Sequence, residues 1–395
     1  MSFGLLGNLF SFILSLLKKP SYSLVQDGDD TANTLVGTSC NDTLNGNGGG
    51  DTLIGKKGKD VLNGGAGNDI LNGGQGADTL NGGDGSDTAT YVDSCAAVTV
   101  NLATGESRGG DAEGDKFNSI ENLTGSRYAD KLTGDDGANV LDGGAGNDTI
   151  WGGGGDDRVI GGVGNDTLYG GDGNDHMIGD TGTNDDIANG GNDIMYGGAG
   201  NDTYSVYQAG DIVVEYAGEG IDIVLASVDY TLGANVENLT LFNGAVRGTG
   251  NELANVIRGN DGDNIINGKG GMDSLYGGLG ADTFVFEKPD ATSADIVRDF
   301  TSGTDKVALS VSGFGLSLAP GGALPADYFY LDGAKPANAD PAQTAHGQFV
   351  LVTNNVESRG LYWDADGGGT ASAPVLVASF YGPALPTLSD FVLIA

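Results

Sequence analysis

The chain has 395 residues, 73 of them glycine, and its 54 acidic against 18 basic residues give a formal net charge of −36. Only 9 of the acids are glutamate, so this is not an acidic helical protein, and 9 prolines with no Gly-X-Y triplet exclude collagen. A hydrophobic share of 38% is too high for a disordered acidic tail, and the charge repels nucleic acid and anionic membranes, which leaves cations as the expected partner.

Residues 1–20 read as an apolar helix stopped by Pro20, with one narrow polar face formed by Gly4, Gly7, Asn8, Ser11, Ser15 and Lys18. No basic residue precedes the apolar run and no cleavage site follows it, so it is not expected to be a signal peptide. It is also shorter than the roughly 20 residues that span a bilayer. Phe3, Leu6, Leu9, Phe10, Ile13 and Leu17 are the candidate assembly residues. The segment either docks on the rest of the chain or inserts into a neighbouring copy or a lipid interface, and both readings stay open. A linker, 21–36, follows. Cys40 and Cys95 cannot make a disulfide framework; two free thiols are expected, with a single bridge between them as the alternative.

From residue 37 the chain runs on a nine-residue ruler. Asp42, Asp51, Asp60, Asp69, Asp78 and Asp87 are evenly spaced through 37–90, with Leu44, Leu53, Leu62, Leu71 and Leu80 two residues behind the first five. A second run, 129–204, carries Asp130, Asp148, Asp157, Asp166, Asp175, Asp193 and Asp202, with Asn139 and Asn184 in the two remaining slots. A third, 248–286, has Asn255, Asn264, Asp273 and Asp282. The marks are joined by G-G-x-G-x-D turns, of which Gly64-Gly65-Ala66-Gly67-Asn68-Asp69 is a clean copy.

Residue chemistry predicts the unit. Glycines permit positive φ, so six residues can form a tight turn, and the other three make a strand with its middle aliphatic side chain turned inward. Such a strand buries no core alone, so units must stack, two per coil, with residues eighteen apart on one edge about 4.8 Å from each other. Aspartates on one edge would repel unless a cation sat between turns. Carboxylates plus turn carbonyls make an all-oxygen donor set, which suits Ca²⁺ better than Mg²⁺ or zinc. The carbonyl donors expected are those of Gly64, Gly67, Gly73, Gly76, Gly82, Gly85, Gly143, Gly146, Gly152, Gly155, Gly161, Gly164, Gly170, Gly173, Gly197, Gly200, Gly277 and Gly280, beside the fifteen ruler aspartates named above.

These repeats resemble the repeats-in-toxin (RTX), or haemolysin-type, calcium-binding repeats. The resemblance implies an all-β fold, a right-handed parallel β-roll loaded with Ca²⁺, here in three consecutive blocks. If each ion needs two same-edge turns, runs of six, nine and four turns offer about 13 sites at most. Departures lower that figure. Lys56, Lys57 and Lys59 crowd the turn before Asp60, Lys269 precedes Asp273, and Ala188 and Asn189 replace the leading glycines before Asp193.

Tyr91, then Tyr204 with Tyr207, then Phe284 with Phe286 are expected to plug the open ends of the rolls. The connectors 91–128 and 205–247 read as β-strands that continue the stack, and Glu121-Asn122-Leu123-Thr124 recurs as Glu237-Asn238-Leu239-Thr240. In the C-terminal capping region, 287–395, Asp295–Phe300 with Gly303–Val307 is similar to the segment after the repeats in serralysin-type secreted proteins. The ending Asp390–Ala395 resembles their uncleaved type I secretion signal. Asp364-Ala365-Asp366-Gly367 is a candidate extra calcium turn.

No catalytic residue is nominated. His176 and His346 are the only histidines, and H-E-x-x-H and G-x-S-x-G are absent. The expectation is a secreted bacterial, non-enzymatic calcium-binding structural protein of the cell surface or matrix, a surface-layer, sheath or filament subunit. It would fold outside the cell after passage through a type I secretion apparatus, as a homo-oligomer or polymer, with no nucleic-acid partner and no transmembrane segment. The alternative is a polysaccharide-binding or polysaccharide-modifying repeat module, similar to those of alginate epimerases, or an adhesin.

Overall fold

A computed structural model describes residues 22–180, 190–289, 292–331, 347–353, 359–365, 373–381 and 385–395. The proposed N-terminal helix and its assembly residues, as well as Asn184, Ala188, Asn189, His346, Asp366 and Gly367, lie outside that set. The chain divides into two compact units, residues 1–150 and 151–395. The fold is a parallel β-solenoid.

In the first unit the leucine of each repeat sets the register. Val25–Asp27, Thr43–Gly48, Val61–Ala66, Thr79–Asp84 and Lys116–Asn118 form one parallel sheet. Thr34–Val36, Thr52–Gly58, Ile70–Gly76, Thr88–Thr90, Asn122–Thr124 and Val140–Ala145 stack as the facing layer. Leu44 lies over Leu62 and Leu62 over Leu80, while Leu53 lies over Leu71, and all five are at most 1% exposed. Burying a leucine contributes roughly 1.5–3 kcal/mol. Three residues per strand therefore suffice once coils stack. Outside this core, Asn45, Asn63, Asn81 and Asn118 form an amide ladder, each Nδ2 donating to the Oδ1 of the previous rung at 2.6–2.7 Å. Between Thr90 and Lys116 the chain leaves this sheet for another, in which Thr99–Asn101 pairs in parallel with Lys131–Thr133 and antiparallel with Glu106–Arg108, and it returns so that Thr79 pairs with Lys116.

The second unit continues the same architecture beyond its repeats. Arg158–Val163, His176–Ile178, Thr203–Val206, Ile223–Ala226, Asn238–Leu241, Val256–Arg258, Ser274–Tyr276 and Asp295–Val297 are successive parallel neighbours. Two expectations are corrected here. Tyr204 and Phe284 do not plug open ends. Tyr204 lies in register between Met177 and Val224, and Phe284 between Ile266 and Val307, so both are ordinary core rungs. Within the second run of repeats the eighteen-residue period also breaks: Thr167 pairs with Ile194 and His176 with Thr203, a step of 27.

The last strands dock on the solenoid. Phe391–Ile394 pairs in parallel with Lys306–Ser310, and Val375–Phe380 with Asp295–Val297. Beneath them Phe314, Phe349 and Trp363 pack with ring centroids 4.6–5.5 Å apart. The ending that resembles a secretion signal is thus a sheet strand in the folded protein. Asp390 accepts from Ser302 Oγ at 2.6 Å and lies 3.5 Å from Lys306 Nζ.

Candidate metal centre

Each repeat turn is six residues long and ends on the ruler aspartate, whose carboxylate faces into the turn. All fifteen predicted aspartates are buried, none more than 3% exposed. One oxygen is committed to the next coil. Oδ1 of Asp60 accepts the backbone N–H of Asp42 at 2.7 Å, Asp69 that of Asp51 at 2.7 Å, Asp78 that of Asp60 at 2.8 Å and Asp87 that of Asp69 at 2.8 Å. In the second unit Asp175 accepts from Asp157 at 2.8 Å and Asp202 from Asp175 at 2.7 Å. Each carboxylate is therefore also a rung of the backbone ladder.

The other oxygen separates two kinds of turn. In closed turns it accepts the N–H of the residue four positions earlier. Asp42 takes Thr38 and Asp130 takes Ser126, both at 2.5 Å. Asp305 takes Thr301 at 2.6 Å, and the amide oxygens of Asn139, Asn255 and Asn264 take Asp135, Asn251 and Asn260. In open turns that oxygen is buried with no hydrogen bond, as in Asp51, Asp60, Asp69, Asp78, Asp87, Asp175, Asp193, Asp202 and Asp273. The cause lies in the backbone. In the turns of Asp69, Asp78, Asp87, Asp175 and Asp202 the second residue is left-handed, with φ of 115° at Gly65, 80° at Gly74, 122° at Gly83, 124° at Gly171 and 100° at Gly198. Asn47, Lys56 and Lys269 hold the same conformation without being glycine, at 74°, 79° and 68°. Thr38 and Ser126 do not, so their N–H groups turn inward and close the turn.

The first glycine of an open turn has a different duty. A Cβ at Gly46 would collide with Asp51 Oδ2 and the Gly64 carbonyl, one at Gly64 with Asp69 Oδ2, and one at Gly170 with Asp175 Oδ2. Carboxylate and carbonyl oxygens thus converge over a bare Cα. Gly64, Gly73, Gly82, Gly143, Gly152, Gly161, Gly170, Gly197 and Gly277 hold this buried first position. Gly67, Gly76, Gly85, Gly146, Gly155, Gly164, Gly173, Gly200 and Gly280 hold the fourth, at the less buried rim. An orphaned buried carboxylate oxygen costs free energy unless protonated or paired with a cation, and the all-oxygen donors fit Ca²⁺.

Burial dominates the titration of these groups. It pushes Asp60, Asp78, Asp87, Asp175 and Asp282 up to about 6, and neighbouring carboxylates add to the rise in all but Asp78's own ladder contacts, where Asp111 supplies it. Asp202 and Asp273 are raised to about 7 and Asp193 to about 8.

The lysine-rich turn is built differently. Lys56 Nζ donates to the carbonyl of Gly37 at 2.9 Å, so an ammonium already occupies the edge between the turns of Asp42 and Asp60. His176 begins a strand, with Nε2 3.0 Å from Ser205 Oγ. Cys40 and Cys95 are free thiols.

Sequence reasoning missed part of the ladder. Asp115 accepts from Asp78, Glu121 from Asp87, Asp211 from Asp193, Asp222 from Asp202, Glu237 from Asp222, Asp295 from Asp273 and Asp305 from Asp282, at 2.8–3.2 Å. These acids sit in glycine-poor segments. The signal that finds them is an acid two residues before a buried apolar strand residue, as in Asp211-Ile212-Val213 and Asp222-Ile223-Val224. Among the described residues two triads, Asp180–Asp193–Asp211 and Asp202–Glu215–Asp222, bring carboxylate oxygens within 4.8 Å of one another.

The profile of the RTX calcium-binding nonapeptide repeat (four copies) matches residues 27–62, 54–89, 117–150, 151–185, 187–205 and 249–284. The chain is also similar to the endo-1,3-1,4-beta-glycanase ExsH of Rhizobium meliloti (strain 1021), 41% identical over 59 residues. That stretch is 15% of this chain and 13% of the relative, so the likeness covers a small part of both.

Proposed function

We propose that this RTX repeat protein, a calcium-binding β-roll, is a secreted, non-enzymatic structural component of the bacterial cell surface or matrix, whose folding is switched on by calcium outside the cell. The observation that carries the reading is the row of buried carboxylate oxygens with no hydrogen bond, stacked in turns opened by left-handed residues. At low calcium their mutual repulsion and burial oppose the folded state. In millimolar calcium, ion binding supplies folding free energy, at affinities of about 10⁻⁴–10⁻³ M. No described helix is long and apolar enough to cross a membrane. Residues 2–17 are the proposed assembly element. Electron microscopy of the purified chain with calcium should show ordered polymers, and deletion of residues 2–17 should abolish them while calcium-dependent folding persists. Monodisperse particles from the intact chain would count against the structural role.

A second reading, a module that associates with an acidic polysaccharide through calcium bridging, is favoured by the glycanase likeness. Calcium-dependent retention on such a polysaccharide, without polymers, would select it.

A further inference from the structure

Where the second run of repeats ends, the turn of Asp202 departs from the inner repeat turns. At Gly46, Gly64, Gly152 and Gly170 the space above the first glycine is shared by the ruler carboxylate and the carbonyl of the equivalent glycine one coil on, as with Gly170, Asp175 and Gly197. At Gly197 that next glycine is missing. Ile194, Met195 and Tyr196 pair with Ile212, Val213 and Val214, so the residue in register with Gly197 is Glu215. Its carboxylate reaches back into the turn, where a Cβ on Gly197 would collide with Asp202 Oδ2 and Glu215 Oε1. Asp222, displaced from the ruler by two residues, supplies a third carboxylate, with Oδ1 accepting from the Asp202 N–H at 2.8 Å. The three groups lie within 4.8 Å of one another and are 1%, 5% and 1% exposed.

A group of acids alone would be no site. Here, however, Asp202 Oδ2 and Glu215 Oε2 are buried without a hydrogen bond. The Tyr204 hydroxyl donates to Glu215 Oε1 and fixes the side chain, leaving Oε2 to the cluster. Neutral donors do not meet these two oxygens, and three carboxylates gather here, a number that among the described residues is matched by the Asp180–Asp193–Asp211 group.

We propose that Asp202, Glu215 and Asp222 form a distinct divalent-cation site of the calcium class, tighter than the nonapeptide turns and the first to fill. The site rests on the reading of the chain as a calcium-folded roll and adds to it a starting point, because a higher ligand charge raises affinity for calcium. It joins the last repeat to the glycine-poor coils, so its ion would hold Thr203–Val206 and Ile212–Val214 in place before weaker turns load.

The test uses the full-length chain, wild type and Glu215→Gln, with calcium alone as the probe. Bound metal is measured by equilibrium dialysis across a range of free calcium, and strand content by circular dichroism at saturating calcium. The wild type should show one ion per chain in a class at least ~10-fold tighter than the rest, and the variant should lose that ion yet fold at saturating calcium. If Glu215→Gln does not fold, Asp222→Asn is read the same way. Identical isotherms for folded wild type and variant would overturn the site, since the carboxylates would then be sharing protons rather than a metal. Strand content that ignores calcium in both proteins would overturn the folding reading, while loss of one ion in the variant would still uphold the site.

Discussion

At the scale of single residues, the sign of φ at the second turn position decides whether an aspartate can serve a cation. Gly65, at 115°, directs its N–H away from Asp69, whereas Thr38 and Ser126 donate theirs to Asp42 and Asp130 and leave those carboxylates satisfied. Lys56 is the informative exception. It keeps the open backbone at 79° but fills the edge with its own ammonium, bonded to Gly37 O at 2.9 Å. Lys56→Gly removes that internal cation and relieves a non-glycine left-handed residue, which costs about 1 kcal/mol. The substitution should therefore add one bound calcium per chain and raise Tm in calcium by a few degrees. Metal analysis after dialysis checks the count, and an unchanged count would show that the Asp60 edge is closed for another reason. The aspartates themselves were legible in the sequence because they repeat every nine residues. Which of them stand open was not, because an aspartate looks the same in closed and open turns; only the residue four before it differs.

At the scale of elements, three-residue strands hold because each is one rung among many. The leucine stack, the asparagine ladder and the ring stack of Trp151, Tyr169 and Tyr196, with centroids 5.6 and 4.8 Å apart, all run along the coil direction. Tyr169 and Tyr196 stand 27 residues apart, because the register skips a nonapeptide between Asp180 and Gly190. On either side of that skip, Gly179-Asp180 and Gly190-Gly191-Asn192-Asp193 together make one six-residue turn: Gly179 lies against Asp193 Oδ2, and Gly191 takes φ 138°. The nine-residue ruler could not reveal this skip, since an insertion of one whole repeat keeps every aspartate in phase. The connectors were hidden for the opposite reason. Their acids hold the ladder without glycine, so the motif fades while the acid-x-aliphatic spacing survives.

At the scale of the whole molecule, the charge of −36 is a condition on folding. Metal-free, the folded state must either bury anions or take up protons. Burial raises Asp60, Asp78, Asp87 and Asp175 to about 6, Asp202 and Asp273 to about 7, and Asp193 and Glu215 to about 8, above the ordinary carboxylate value near 4. The folded state then binds more protons than the unfolded one, so the stability these groups lend the metal-free fold is fully present below about pH 4 and is lost as pH rises through 6 to 8. In chelator, strand content should therefore be higher at pH 5 than at pH 8, and equal spectra at the two pH values would contradict this. Calcium replaces the protons at neutral pH.

If cations complete the open turns, they complete the fold as well. Far-UV circular dichroism of the full chain at pH 7.5, titrated with calcium and then returned to excess chelator, should show a cooperative gain of strand signal between about 10⁻⁴ and 10⁻³ M calcium that chelator reverses. The same strand content with and without calcium would contradict it.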